Sequence, residues 1–217
     1  MKQLLILSGK GGTGKTTIAG AMIKLSQARA YADCDVDAPN LHLSMIHTNT
    51  PERFDYYGMP KAQIDAEICI GCGNCEIHCR FDAIIQKNGY VVDLFSCEGC
   101  GVCEAVCPVN AVSMRPAVAG EQMLYRTAHS VFSTAQLKMG SGTSGKLVTE
   151  VKKRMLSSLM PETELAIIDG SPGIGCPVIA SLSGVSMVLI VAEPSVSGIS
   201  DMERIIRTAE IFQIGRA

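Results

Sequence analysis

The sequence has no apolar run long enough to cross a membrane. Its strongest apolar stretch, Met187–Ala192, falls far short of the roughly 20 residues that a membrane-spanning helix needs. Near the start, Leu4–Leu7 is too short for the apolar region of a secretory signal, and a glycine-rich loop follows it at once. These absences exclude an integral membrane protein, argue against membrane association, and predict a soluble protein of the cytoplasm.

The sequence also has no excess of positive charge. Its 19 lysine and arginine residues stand against 21 aspartate and glutamate residues, which gives a net charge of −2 at pH 7. The chain therefore lacks the basic surface that nucleic-acid binding requires, and we expect no nucleic-acid partner. Its one basic run, Lys152–Arg154, is expected to lie on the solvated face of a helix.

Cysteine, by contrast, is abundant, with ten residues in a chain of 217. The content of 47% apolar and 18% charged residues is that of a folded globular protein. The length suits one α/β domain with a small insert. Because cytoplasmic thiols rarely pair as disulfides, so many cysteines indicate a metal centre.

A phosphate-binding motif lies between the first predicted strand, Lys2–Ser8, and the first predicted helix, Thr16–Gln27. The run GKGGTGKT satisfies the pattern G-x4-G-K-[ST] in this context. The glycines let backbone N–H groups face a phosphate at the helix N-terminus, Lys15 adds a cation, and the Thr16 hydroxyl can bind Mg²⁺. We expect ATP to be bound by Gly9, Lys10, Gly11, Gly12, Thr13, Gly14, Lys15, Thr16 and Thr17.

Eight of the ten cysteines form an internal repeat. The spacing C-x2-C-x2-C-x3-C occurs twice at an offset of 28 residues, which predicts two equivalent half-modules. It resembles the bacterial two-cluster ferredoxins, in which the fourth cysteine of each run ligates the other [4Fe–4S] cluster. The resemblance implies one cluster on Cys69, Cys72, Cys75 and Cys107, and a second on Cys97, Cys100, Cys103 and Cys79. Two zinc sites are the alternative, since C-x2-C pairs also bind zinc.

Three residues near these motifs need separate treatment. Arg80 follows Cys79 where the ferredoxin pattern has a proline, and this removes no ligand. Cys34 and Cys176 lie outside the repeat, and we expect each to be a buried small residue rather than a ligand.

The rest of the chain alternates between strands and helices. Apolar strands are predicted at Ala30–Asp33, Leu165–Asp169 and, in the centre of the sheet, Met187–Ala192. Helices with one apolar stripe are predicted over Leu147–Leu159 and Ile199–Ala209. The pattern predicts an α/β P-loop NTPase fold, a mostly parallel sheet with helices on both faces.

The change in composition suggests where the domains divide. We expect an ATPase domain built from residues 1–61 and 117–217, and a small inserted α+β ferredoxin-like domain at residues 62–116. We also expect further residues, including the adenine contacts, beyond Ala217. Glu193-Pro194, at the end of a strand, is a weaker candidate for lining the nucleotide pocket.

KGGTGKT resembles the deviant Walker A motif of the MinD/ParA/NifH-type ATPases. In that family the extra lysine, here Lys10, reaches the nucleotide of the partner subunit, which implies an ATP-dependent homodimer. Asp33-Cys34-Asp35-Val36-Asp37 resembles switch I and implies that Asp35 orients the attacking water, although Asp33 and Asp37 stay open as alternatives. Asp169-Gly170-Ser171-Pro172-Gly173 resembles switch II, with Asp169 holding Mg²⁺ through water. The implied catalytic residues are Lys10, Lys15, Asp35 and Asp169.

The order of these motifs resembles MinD-superfamily ATPases with an inserted ferredoxin domain. Such proteins are often labelled cobyrinic acid a,c-diamide synthase-like, but amidotransfer would require a glutaminase domain that this sequence lacks. The resemblance implies ATP, Mg²⁺ and two [4Fe–4S] clusters as cofactors, with ATP-gated electron transfer to a redox protein. The alternative is an iron–sulfur carrier or scaffold that delivers clusters to apo-proteins.

Overall fold

The computed structural model describes residues 1–45 and 49–214. Within them the strands are β1 (Lys2–Ser8), β2 (Ala30–Asp33), β3 (Glu52–Tyr57), β4 (Lys61–Ile64), β5 (Ile84–Gln86), β6 (Tyr90–Val92), β7 (Val112–Arg115), β8 (Val118–Arg126), β9 (Val131–Leu137), β10 (Leu165–Pro172) and β11 (Met187–Val191). The helices are α1 (Lys15–Ser26), α2 (Leu41–Ser44), α3 (Asn74–Ile77), α4 (Val102–Ala105), α5 (Ser144–Ser157), α6 (Cys176–Leu182) and α7 (Val196–Ile211). None of these helices has the length and apolar character needed to cross a bilayer.

The chain divides into two compact units. The first contains residues Met1–Phe54, Glu121–Leu137 and Ser144–Ala217, and the second contains Asp55–Gly120 together with Lys138–Thr143. The chain therefore passes between the units within β3, within β8, after β9 and before α5. The insert boundaries of 62–116 remain a prediction from the sequence, which did not foresee the short returning segment.

A seven-stranded sheet in the order β11-β1-β10-β2-β9-β8-β3 organises the first unit. The five strands from β11 to β9 pair in parallel, which confirms the predicted mostly parallel α/β fold. Parallel strands are usually buried on both faces, and β1 accordingly carries Leu5, Ile6 and Leu7 fully buried. Burying each such side chain contributes about 1.5–3 kcal/mol to the fold. Helix α1 packs one face through Ala19 and Ile23.

Two parts of this sheet differ from the sequence predictions. Strands β8 and β9 were not predicted, because their segment lies between the cysteine motif and the helical stripe of α5. A tight turn joins them, with the Thr127 amide donating to the Ser130 carbonyl at 2.9 Å. Strand β11 lies at an edge of the sheet instead of its centre, and its Met187 and Leu189 are exposed. Its short apolar run is equally compatible with either position.

The second unit reproduces the sequence repeat in its backbone. Strands β4 and β7 pair antiparallel, as do β5 and β6. Helices α3 and α4 each begin after a glycine in the left-handed region, Gly73 with φ 76° and Gly101 with φ 78°. The small core of this unit is built around buried cysteines and the apolar side chains of Ala62, Ile84 and Val112.

Lys152 is buried, which contradicts the predicted solvated face for its basic run. Only 5% of the residue is exposed, and its Nζ donates to the carbonyls of Ser181 and Ser183, both at 2.5 Å, and of Ala180 at 3.4 Å. Those carbonyls belong to the C-terminal end of α6, where helical backbone groups lack partners and the helix dipole favours a cation. Burial lowers the pKa of Lys152. Its neighbour Lys153 is exposed, as predicted.

We expect Lys152→Met to lower the free energy of unfolding by about 1–3 kcal/mol, because it leaves buried carbonyls without donors. Lys153→Met removes the same charge from an exposed side chain and should change stability by less than about 0.5 kcal/mol. Thermal denaturation of both variants, prepared without oxygen, measures the difference. Equal destabilisation by the two substitutions would contradict a capping role for Lys152.

Candidate functional site

The predicted phosphate-binding loop lies between β1 and α1, and the space beside its glycines is open. Gly12 and Gly14 have φ of 82° and 86°, a region that favours glycine. A Cβ built on Gly11, Gly12 or Gly14 would meet nothing within 4 Å. The loop lines a pocket, together with Lys15, Thr16, Thr17, Asp35 and Asn40. Backbone N–H groups at the start of α1 suit this pocket to a phosphate anion.

Lys15 and Asp169 form a buried ion pair in the first unit. The Lys15 Nζ lies 2.5 Å from Asp169 Oδ1, and the side chains are 7% and 0% exposed. The other carboxylate oxygen, Asp169 Oδ2, is buried without a hydrogen-bond partner among the described residues. A buried oxygen without a partner is costly unless it binds a cation, water or a proton. These residues therefore fit a nucleotide phosphate with Mg²⁺.

The Asp33 side chain shapes the loop after β2. It accepts N–H donors from Asp35 at 3.0 Å, Asn40 at 3.0 Å and Leu41 at 2.9 Å. Burial raises the pKa of Asp33 to about 7, and the charge of Asp169 adds to the effect, while backbone donors and Lys15 oppose it. This network presents Asp35 to the phosphate pocket.

Of the three aspartates in this loop, Asp35 is the one that lines the pocket, whereas Asp37 is exposed. Burial raises the pKa of Asp35, partly offset by the positive charge of Lys15. This arrangement favours Asp35 over Asp33 and Asp37 as the residue at the site. The role of Asp35 with water stays a prediction.

The two switch segments are bonded to each other directly. The Ser171 hydroxyl donates to the Cys34 carbonyl at 2.5 Å, and the Cys34 amide donates to the Asp169 carbonyl at 2.7 Å. Gly170, between Asp169 and Ser171, packs tightly against β1, where a Cβ would lie 2.5 Å from a methyl carbon of Leu7. The sequence did not single out Ser171, since its partner is remote in the chain.

The two cysteines outside the repeat differ in environment. Cys34 is fully buried, and burial raises the pKa of its thiol to about 12, which makes it unreactive. Cys176 is exposed, so the expectation that it is a buried small residue is wrong. The residue begins α6, and the sequence pattern does not reveal which face of that short helix meets solvent.

The first turn of α7 packs against the phosphate-binding loop. Lys10 Nζ donates to the Ser197 hydroxyl at 2.5 Å within the same chain. A Cβ on Gly9 would lie 2.2 Å from the Cβ of Asp201, so only glycine fits there. Neither Ser197 nor Asp201 was predicted as a site residue, because only the fold brings α7 to this loop. Whether Lys10 acts on the nucleotide of a partner subunit stays a prediction.

In the second unit the cysteines surround two separate cavities. One cavity is lined by Cys69, Cys72, Cys75 and Cys107. The other is lined by Cys79, Cys97, Cys100 and Cys103. Each cavity thus carries three cysteines from one run and the fourth cysteine of the other, the division implied by the ferredoxin resemblance. The assignment of individual ligands stays a prediction.

The donor set of each cavity fits an iron–sulfur cluster. The described residues hold no group of three or more His, Cys, Asp or Glu close enough to share one metal ion, whereas four cysteines border each cavity. The Ala111 amide donates to Cys107 Sγ at 3.2 Å. Desolvation raises the pKa of the Cys107 thiol, but hydrogen bonds from backbone donors such as Val109 and Ala111 outweigh it, so the pKa is lowered. Thiolates that accept amide hydrogen bonds are suitable cluster ligands.

The repeat supplies a matched pair of glycines for testing the second cavity. Gly71 and Gly99 occupy equivalent positions and have similar φ of 68° and 72°. A Cβ on Gly99 would lie 2.2 Å from the Pro60 carbonyl oxygen, whereas a Cβ on Gly71 would meet nothing within 4 Å. The two positions thus share backbone strain and differ in steric clash.

We expect Gly99→Ala to lose about half of the protein's iron, because the clash displaces the loop that carries Cys97 and Cys100. Gly71→Ala introduces the same left-handed alanine, a strain of about 1 kcal/mol, and should keep its iron. Iron and sulfide determination on both variants, purified without oxygen, decides the matter. Equal losses would show that strain and not the Pro60 contact governs assembly.

Comparison with known proteins identifies both parts of the chain. Residues 62–114 match the family model of the 4Fe-4S dicluster domain. The chain is 33% identical over 220 residues to the Uncharacterized protein MJ0578 of Methanocaldococcus jannaschii, covering 98% of this chain and 75% of that protein. It is 28% identical over 221 residues to the Uncharacterized protein MJ0579 of the same organism, covering 99% and 78%. The family-model match confirms the predicted iron–sulfur domain and favours it over the zinc alternative.

The fold is similar to that of a solved structure. The apo form of McdA from Cyanothece aligns with a TM-score of 0.51 at 20% sequence identity, covering 98% of this chain and 66% of McdA. The chain thus spans about two thirds of the length of McdA and about three quarters of MJ0578. At this identity the likeness to McdA establishes the fold alone.

Proposed function

Because the chain belongs to the family of the Uncharacterized protein MJ0578 and combines a 4Fe-4S dicluster domain with a phosphate-binding loop on a fold similar to that of McdA, we propose that it couples ATP hydrolysis to electron transfer. The ATPase unit works as a Mg²⁺-dependent homodimer. The second unit carries two [4Fe–4S] clusters, which pass single electrons between redox proteins. The segment Lys138–Thr143 carries this proposal, because it joins residues at the nucleotide switches to the cluster-bearing unit.

On the nucleotide side, each residue has a role that its environment supports. Lys15 leaves Asp169 to bind phosphate, and the freed carboxylate and the Thr16 hydroxyl hold Mg²⁺. Asp35, which lines the same pocket, orients water. Lys10 leaves Ser197 when a second subunit brings its own nucleotide within reach.

The connecting segment begins at switch I. The amide of Leu137, the last residue of β9, donates to the Val36 carbonyl at 2.8 Å. Val36 belongs to the loop that presents Asp35 to the phosphate pocket. A movement of this loop on nucleotide binding therefore pulls on Leu137, and the next residue along the chain is the first of the connecting segment.

Within the second unit, the segment is held against residues that flank cluster ligands. A Cβ built on Gly140 would lie 3.6 Å from the Phe95 ring, and one built on Gly142 would lie 3.7 Å from the Glu98 carboxylate. Phe95 and Glu98 stand on either side of Cys97 in the sequence. The Tyr56 hydroxyl lies 2.9 Å from Thr143 Oγ1 and donates to the Thr143 carbonyl at 3.2 Å.

The chain leaves the segment at the start of α5, beside switch II. A Cβ on Gly145 would lie 3.1 Å from the carbonyl oxygen of Cys176, the residue that begins α6 after the switch II loop. Both ends of Lys138–Thr143 are thus attached to residues next to the nucleotide switches. The nucleotide state thus has a covalent route into the segment, which in turn packs against the loop that carries Cys97.

We expect ATP with Mg²⁺ to shift the midpoint potential of at least one cluster, because the segment displaces the ligand loop when the switches close. An EPR-monitored redox titration with and without nucleotide measures the shift. Tyr56→Phe should reduce it while iron content and ATP hydrolysis persist, since the substitution removes the hydroxyl that bonds Thr143 and keeps the ring. Tyr57→Phe removes a hydroxyl from the exposed neighbouring residue and serves as the control. If the midpoint potentials of the unaltered protein are the same with and without nucleotide, the coupling is refuted.

A cluster carrier is the second candidate function, and the exposure of Cys72 and Cys100 favours it. An exposed thiolate ligand lets an acceptor thiol attack the cluster. The carrier function predicts clusters that move to an apo-ferredoxin within minutes, whereas the electron-transfer function predicts clusters that stay in place. Incubation of the two proteins without oxygen, followed by their separation and iron determination, distinguishes these outcomes.

A further inference from the structure

The first ligand loop carries Cys69, Cys72 and Cys75, and the second carries Cys97, Cys100 and Cys103. The segment Met59–Lys61 packs against the second ligand loop. The Pro60 carbonyl approaches Gly99 so closely that a Cβ there would lie 2.2 Å from its oxygen. The Lys61 Nζ donates to the backbone carbonyl of Cys97. A cation is therefore bonded to a residue that the ferredoxin pattern makes a ligand of the second cluster.

The first ligand loop is more open at the equivalent positions. Cys69 is half-exposed, whereas Cys97, which follows it by 28 residues, is 7% exposed. A Cβ on Gly71 would meet nothing within 4 Å, in contrast to the crowded position of Gly99. The two half-modules thus share their cysteine spacing and differ in what covers them.

The acidic residues near the two ligand loops do not cancel the positive charge that Lys61 brings to the second loop. Glu76 and Glu104 are equivalent in the repeat, so each half-module has one of them. Glu98 takes the place of Ile70 and adds a negative charge to the second loop, but its side chain is exposed and screened by water. Lys61 is half-buried and bonded directly to Cys97, where a charge acts more strongly.

We propose that Lys61 makes the cluster held by Cys79, Cys97, Cys100 and Cys103 the one with the higher midpoint potential. Reduction adds one electron, and hence one negative charge, to a cluster, so a neighbouring cation stabilises the reduced form. An electron received from an external low-potential donor at the exposed first cluster passes to the second and remains there. This inference rests on the proposed function, in which each set of four cysteines holds a [4Fe–4S] cluster.

The test is an EPR-monitored reductive titration of the whole protein with dithionite. In Lys61→Met, the step at the higher potential moves to more negative values. At a fixed potential the ratio of reduced to oxidised cluster in that step falls about tenfold, equivalent to about 59 mV. Lys61→Arg keeps the charge and restores the step. Lys87→Met removes the same charge from the exposed β5–β6 turn and leaves both steps unchanged.

The controls separate this inference from the proposed function. Iron and sulfide are counted on the same samples, and the unaltered protein should hold about eight iron atoms per chain. A lower count in the unaltered protein overturns both. If the iron count is full but the reduction step at the higher potential does not move, only the role of Lys61 is overturned. The same holds if the step at the lower potential moves. If Lys61→Met loses iron, Lys61→Gln keeps a donor without the charge and must show the same shift.

Discussion

The buried pair of Lys15 and Asp169 is the interaction on which the nucleotide site depends. In the parallel register of β2 and β10, Asp33 lies opposite Asp169, so two buried carboxylates share the charge of a single lysine. Burial raises the pKa of Asp33 to about 7, and the neighbouring charge of Asp169 adds to this effect. Removing one partner from such a pair costs about 3–5 kcal/mol. The site therefore favours an arriving divalent cation, which would neutralise the charge that Lys15 leaves behind.

The second unit combines a duplicated sequence with unequal surroundings. Its two ligand loops share spacing, backbone conformation and a short helix that begins after a left-handed glycine. Two single-copy segments, Met59–Lys61 and Lys138–Thr143, contact the second of these loops. A duplicated motif provides two similar metal centres, and its single-copy neighbours then allow the two to serve different purposes.

The phosphate-binding loop and the division of the eight repeat cysteines between two cavities could be predicted from local motifs, because contiguous residues form them, while the roles of individual residues stay predictions. The strand, glycine loop and helix around Lys15 and the two cysteine runs needed no knowledge of distant contacts. The features that the sequence did not reveal all depend on remote partners. From the sequence, Lys152 is expected to be solvated, and only the fold brings the end of α6 against it. Ser197 lies near the phosphate loop only because the fold packs α7 there. Strands β8 and β9 carry no motif, and the returning segment between β9 and α5 resembles an ordinary loop.

That returning segment bears on how freely the cluster-bearing unit can be exchanged between proteins. The chain crosses between the units four times, within β3, within β8, after Leu137 and before Ser144. A peptide cut out at the limits of the ferredoxin motif would lack both Tyr56 and the Thr143 that it bonds. The cysteine runs alone are therefore only part of this unit. Recombination that grafted them onto another protein would leave behind the segment Lys138–Thr143 and its bond to Tyr56.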